Sequence, residues 1–126
     1  MKIDAETARK LHRWFPDLDM QSVTLVNAWP MNSLIKNVLR QGALTVAPFV
    51  FYGKVSFTPG DPRSIALLAH ELKHVEQYRR MGRLGFLQRY FLDKARNGFE
   101  YSKTLPLEKE AYDLQAEVLE ELTNSS

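Results

Sequence analysis

A single α+β domain is what the sequence predicts, on three observations. The length, 126 residues, fits one compact domain that can bury a sizeable core without disulfide or metal staples. Runs of β-branched and aromatic residues gather between positions 23 and 57. Segments with apolar residues at helical spacing, bounded by Gly and Pro, fill most of the remainder. One domain is expected over 1–126: an N-terminal helix-and-strand segment at 1–42, a core at 43–122 and a tail at 123–126.

The first helix is predicted over 4–15. Asp4 can cap it, Ala5, Ala8, Leu11 and Phe15 share a face, and Pro16 stops it. Val23 to Val26 reads as a strand. After the break at Trp29-Pro30, Ser33 can cap a helix reaching about Arg40, with Gly42 beyond its end. Leu44-Thr45-Val46, Phe49-Val50-Phe51-Tyr52 and Val55-Ser56-Phe57 are strand-like. Gly53-Lys54 suits a tight turn pairing the last two as a hairpin, and Pro48 suits an edge or a bulge. Beyond the loop at 58–62, helices are expected from Arg63 or Ser64 to Met81, from Leu84 to Asn97, and from Pro106 to about Leu122.

Composition excludes several chemistries. The chain has no cysteine, so thiolate metal sites, disulfides and cysteine nucleophiles are ruled out, and any metal must be held by His, Asp or Glu. A net charge of +2 is too small to imply a nucleic-acid partner, and none is expected. No apolar run approaches the ~18 residues of a membrane span, and the N-terminus lacks a signal-peptide core, so a cytoplasmic location is expected.

Chemistry concentrates in Ala69-His70-Glu71-Leu72-Lys73-His74-Val75-Glu76-Gln77. The His-Glu-x-x-His spacing puts both imidazoles on one helix face, a turn apart, where they can converge on a cation. Glu71 is rotated by ~100° from His70 and flanks that cation, placed to take a proton from a water attacking a carbonyl. The apolar lead-in from Ile65 to Ala69 marks a buried helix, in which two histidines without partners are costly. The alternative is a solvated helix with two incidental histidines.

Catalytic zinc takes three protein ligands. His12, the remaining histidine, has no motif around it, so an acid on the last helix is the better third ligand. Leu107, Ala111, Leu114, Val118 and Leu122 define the buried stripe of that helix. Glu108 lies about 55–60° from the centre of the stripe and Glu110 about 100–105°, which favours Glu108. Both acids facing solvent is the alternative.

These residues resemble those of the gluzincin metallopeptidases, and among them the small minigluzincins and their peptidase-like relatives. The resemblance covers about Leu44 to Gln115 and rests on Leu67 to Val75, Gln77, and Pro106 to Tyr112. It implies a three-stranded sheet packed on an active-site helix and a C-terminal glutamate helix. It further implies Zn2+ on His70, His74 and Glu108, with Glu71 as general base in peptide-bond hydrolysis, and a peptide or protein substrate. Substrate would pair along an edge strand above the metal, for which Phe49, Val50 and Phe51 are the candidates, with an interior strand as the alternative. Many gluzincins carry an acid four residues after the ligand glutamate, where this chain has Tyr112, so Tyr112 or another group must orient the histidine. Tyr112, Tyr101 and Tyr52 are the candidates for stabilising an oxyanion. The resemblance leaves open a second reading, a zinc-binding peptidase-like module that is a latent proenzyme or an adaptor, with residues 1–16 or the tail after Leu122 in the cleft.

Arg79, Arg80, Arg83, Arg89, Lys94 and Arg96 are interleaved with Phe86, Tyr90 and Phe91. They can hold nucleic acid or an anionic membrane surface, or they can be the wet side of a helix whose aromatics are buried, and the last is the favoured reading. Leu87, Phe91 and Leu92 widen the apolar face of that helix, which hints at packing on another chain or an apolar surface, so homo-oligomerisation stays open.

Overall fold

A computed structural model describes residues 1–28, 33–34, 43–53, 57–96 and 106–124. The fold is α+β, with a small three-stranded mixed sheet and four named helices among the described residues. In chain order the elements are α1 (Ala5–Leu11), a 3-10 turn (Met20–Ser22), β1 (Thr24–Val26), β2 (Ala43–Val46), β3 (Phe49–Tyr52), α2 (Pro62–Met81), α3 (Arg83–Arg96) and α4 (Pro106–Asn124). The helix expected from Ser33 to Arg40 lies outside the described residues except for Ser33 and Leu34, which are helical.

Asp4 caps α1, accepting from the Thr7 amide at 3.1 Å and the Thr7 hydroxyl at 2.7 Å. The helix ends at Leu11 rather than Phe15, because the next turns tighten. Trp14 N donates to Leu11 O at 3.1 Å and Phe15 N to His12 O at 3.1 Å. That winding delivers both Leu11 and Phe15 fully into the core. Ile3, Met20 and Val23 join them, and Arg13 reaches Glu121 of α4 at 3.6 Å. Ile3, Thr7, Leu11 and Phe15 thus fasten residues 1–16 to the rest of the domain.

The strand order is β1-β3-β2, with β1 parallel and β2 antiparallel to β3. A hairpin joins β2 to β3 through Ala47-Pro48. The hairpin expected across Gly53-Lys54 lies outside the described residues in its turn and most of its second strand. One expectation is corrected here. Phe49, Val50 and Phe51 lie on the central strand, whose two edges are both paired, so its backbone has no edge to offer a substrate. Pro48 suits a turn because it has no N–H to leave unpaired, and its carbonyl accepts from Thr24 N at 3.0 Å. The chain start covers β1: Leu25 N donates to Met1 O at 2.7 Å and Lys2 bridges to Thr24. Among the described residues, the outer side of β2 is the edge that stays open.

The long helix α2 begins where Asp61 accepts from Arg63 N at 3.2 Å and Pro62 takes the first turn. It stops at Gly82, whose φ of 76° is the left-handed conformation that glycine adopts without strain. Ile65, Ala66, Leu68, Ala69, Leu72 and Val75 are buried on several of its sides, as suits a helix running through the domain. Its most extensive packing is against α4, whose Leu107, Ala111 and Val118 are buried, and its other flank meets β2.

Candidate metal centre

The helical rise fixes the first half of the site. His70 and His74 stand one turn apart on α2, ring centroids 5.0 Å apart and edge-to-face at 75°. Both are buried, as is Glu71, and each of the three offers a ligand atom within 4.8 Å of the others. The second half comes from α4. Its first turn packs on α2 through Leu107, and the next residue, Glu108, enters the same space. Glu108 Oε1 lies 2.7 Å from His74 Nε2 and 3.4 Å from His70 Nε2. Glu71 Oε2 lies 3.7 Å from His70 Nε2. Of the two acids, Glu108 is thus nearer to the point where both imidazoles aim.

Glu110 takes a different place. It is half-buried on the rim, 3.4 Å from Lys73 Nζ, 3.5 Å from Arg80 and 3.4 Å from Gln77 Nε2. His12 is exposed and, among the described residues, is not one of the groups gathered there.

Electrostatics follow from the burial of so many titratable groups together. Burial is the main force raising the Glu71 carboxyl above its ordinary range, and the imidazole charges and Thr45 oppose it. Burial alone would lower His74, but the Glu108 hydrogen bond and the charges of Glu71 and Glu108 outweigh it and hold His74 high. Glu108 is pulled down to about 2, since hydrogen bonds from His70 and His74 and their charges overcome its burial. The cluster therefore favours a positive charge at its centre.

The outward-facing nitrogens decide which atoms are free to ligate. His74 Nδ1 lies 2.8 Å from Gln77 Oε1, and His70 Nδ1 lies 2.9 Å from Gln115 Oε1. The amide of Gln77 is oriented by its own donors, which reach Leu107 O at 3.1 Å and Glu110 Oε1 at 3.4 Å. Its oxygen must then face His74 and accept a proton from Nδ1. Nε2 is then the nitrogen of His74 that meets Glu108, as it is for His70, whose Nδ1 is engaged by Gln115. The proton between His74 Nε2 and Glu108 is what a cation would displace, and the two imidazole nitrogens and one carboxylate, buried and without a thiolate, then fit a divalent cation.

These glutamines orient the two histidines. Tyr112, four residues after Glu108, packs its ring edge-on against His70, centroids 4.4 Å apart. Gln77 was legible as part of the motif but without a role. Gln115 was missed, although its position seven residues after Glu108, two turns along the same helix face, is a signal that could have found it. Replacing Gln77 by Ala is expected to weaken metal affinity by about 10–100-fold with little change in fold, read by competition against a chelating dye.

The walls of the site are aromatic and β-strand. Phe86 of α3 stands 6.1 Å from the His74 ring. Thr45 of β2 is buried, and its hydroxyl reaches Glu71 Oε1 at 3.2 Å and Glu71 O at 3.3 Å. The Tyr52 hydroxyl is buried with no hydrogen-bond partner among the described residues, and burial aided by the Glu71 charge pushes its phenol up. Tyr101 lies outside the described residues.

The model of the eCIS core domain family matches residues 2–82. The matched stretch takes in the chain start that covers β1, the whole sheet and all of α2 with its two histidines, and it ends before Glu108. The family identified is this one and not a peptidase family. No curated protein and no solved structure matches the chain. Since the match spans well over half of the sequence and contains the helix on which the site is built, this chain belongs to the eCIS core domain family.

Proposed function

We propose that the domain is a zinc-dependent peptidase, with His70, His74 and Glu108 as metal ligands and Glu71 as general base. One observation carries the reading: a buried carboxylate oxygen on α4 meets the Nε2 atoms of both histidines, whose Nδ1 atoms are already engaged by glutamine oxygens. Zinc, when bound, supplies a Lewis acid that polarises a carbonyl and makes water a nucleophile near neutral pH.

The chain's own residues account for the remaining work. Glu71 takes the proton of the attacking water and returns it to the leaving amine. Its burial raises its proton affinity toward that of a useful base. The Thr45 hydroxyl holds one carboxylate oxygen and leaves the other for the proton. The open edge of β2, in contact with Glu71 through Thr45, is positioned to pair with an extended peptide, in place of the central strand β3.

The test is a peptide library incubated with the zinc-loaded full chain and analysed by mass spectrometry. New termini that vanish on chelation and return with zinc are expected. A fully loaded chain that cuts nothing would favour the second reading, a module that binds metal and acts through contacts.

A further inference from the structure

Helix α3 uses one face to stay on the domain. Phe86 stacks on Tyr78, ring centroids 3.8 Å apart and planes 22° apart, and on Tyr90 at 5.9 Å and 11°. Asp93 is buried and takes Arg89 Nε at 3.0 Å. The opposite face is open and mostly apolar: Leu84 is 70% exposed, Phe91 57%, Leu92 49% and Leu87 40%, with the exposed Gln88 among them. At 100° per residue the four apolar side chains span an arc of about 140°.

Cations border the arc on both sides. Arg83 lies about 40° beyond Leu87, and Arg96 and Arg89 lie about 40–60° beyond Leu92. All three are exposed. From position 79 to 96 the sequence holds six cationic residues and a single acid, Asp93. Apolar residues between two basic margins match a planar surface with an oily interior and negative headgroups, which meets both margins at once. A second copy on this face would instead bring arginines against arginines, a like-charge penalty. No described helix is long and apolar enough to cross a membrane, so α3 would lie on such a surface rather than span it.

We propose that the outer face of α3 docks this domain on an anionic lipid surface, Leu84, Leu87, Phe91 and Leu92 entering the acyl boundary while Arg83, Arg89 and Arg96 meet the lipid phosphates. The inner face of the same helix carries Phe86 against His74, so docking holds the metal centre beside the bilayer.

The experiment is co-sedimentation of the full chain with vesicles of phosphatidylcholine alone and with phosphatidylglycerol added. Binding to the mixed vesicles only, weakened by salt, is expected. Leu84→Glu/Phe91→Glu should lower the partition by about tenfold or more, and Arg83→Gln or Arg96→Gln by about fivefold each. Circular dichroism and metal content of these surface variants should be unchanged. Three outcomes overturn the proposal: no binding to mixed vesicles, equal binding by Leu84→Glu/Phe91→Glu, or a concentration-dependent dimer in vesicle-free solution that this variant abolishes. None of them depends on whether the domain cuts peptides.

Discussion

Glu71→Gln is expected to lower peptide turnover by at least about 10²-fold while metal content stays at the wild-type level. The two halves of that result have separate causes. Turnover falls because an amide cannot accept the proton that a carboxylate takes from water. Metal is retained because Glu108, rather than Glu71, is the acid nearest to both Nε2 atoms. Stability should change little, since burial already disfavours the ionised form of Glu71 and Gln removes that cost. Cleavage that survives unchanged would assign the activity to another protein in the preparation. Loss of metal along with turnover would make Glu71 a ligand.

The second large effect separates the acids of α4. Glu108→Gln should weaken zinc binding by about tenfold or more, whereas Glu110→Gln should act only through its contact with Gln77 and cost much less. His70→Ala/His74→Ala should remove nearly all bound metal, because one carboxylate pair cannot hold zinc in competition with water and chelators. Equal or reversed effects of the two glutamate changes, measured by equilibrium competition, would require a different third ligand.

The helices were legible because their signals are local. Asp61, Pro62 and Gly82 bound α2, and Leu107, Ala111 and Val118 mark the rotation of α4 closely enough to separate Glu108 from Glu110. Strand order was not legible, because it is set by pairing between distant segments. Val50 is fully buried and Phe49 exposed, an alternation that an edge strand and a central strand share. Pro48 carried the wrong weight for the same reason: its missing N–H is harmless in a turn as well as at an edge. Gln115 escaped because a glutamine on an amphipathic helix ordinarily faces water, and only the arrival of His70 from 45 residues away gives it a partner. The open face of α3 was foreshadowed by Leu87, Phe91 and Leu92, whereas the exposure of Leu84, the most open of the four, was not.

X-ray absorption at the zinc edge of the loaded full chain reads the ligand set itself. Two imidazole nitrogens at about 2.0–2.1 Å and carboxylate oxygen at about 2.0–2.2 Å are expected around the metal, the imidazole scattering disappearing in His70→Ala/His74→Ala. A loaded chain whose zinc shows oxygen neighbours only, or an imidazole signal that persists in that variant, would contradict that ligand set.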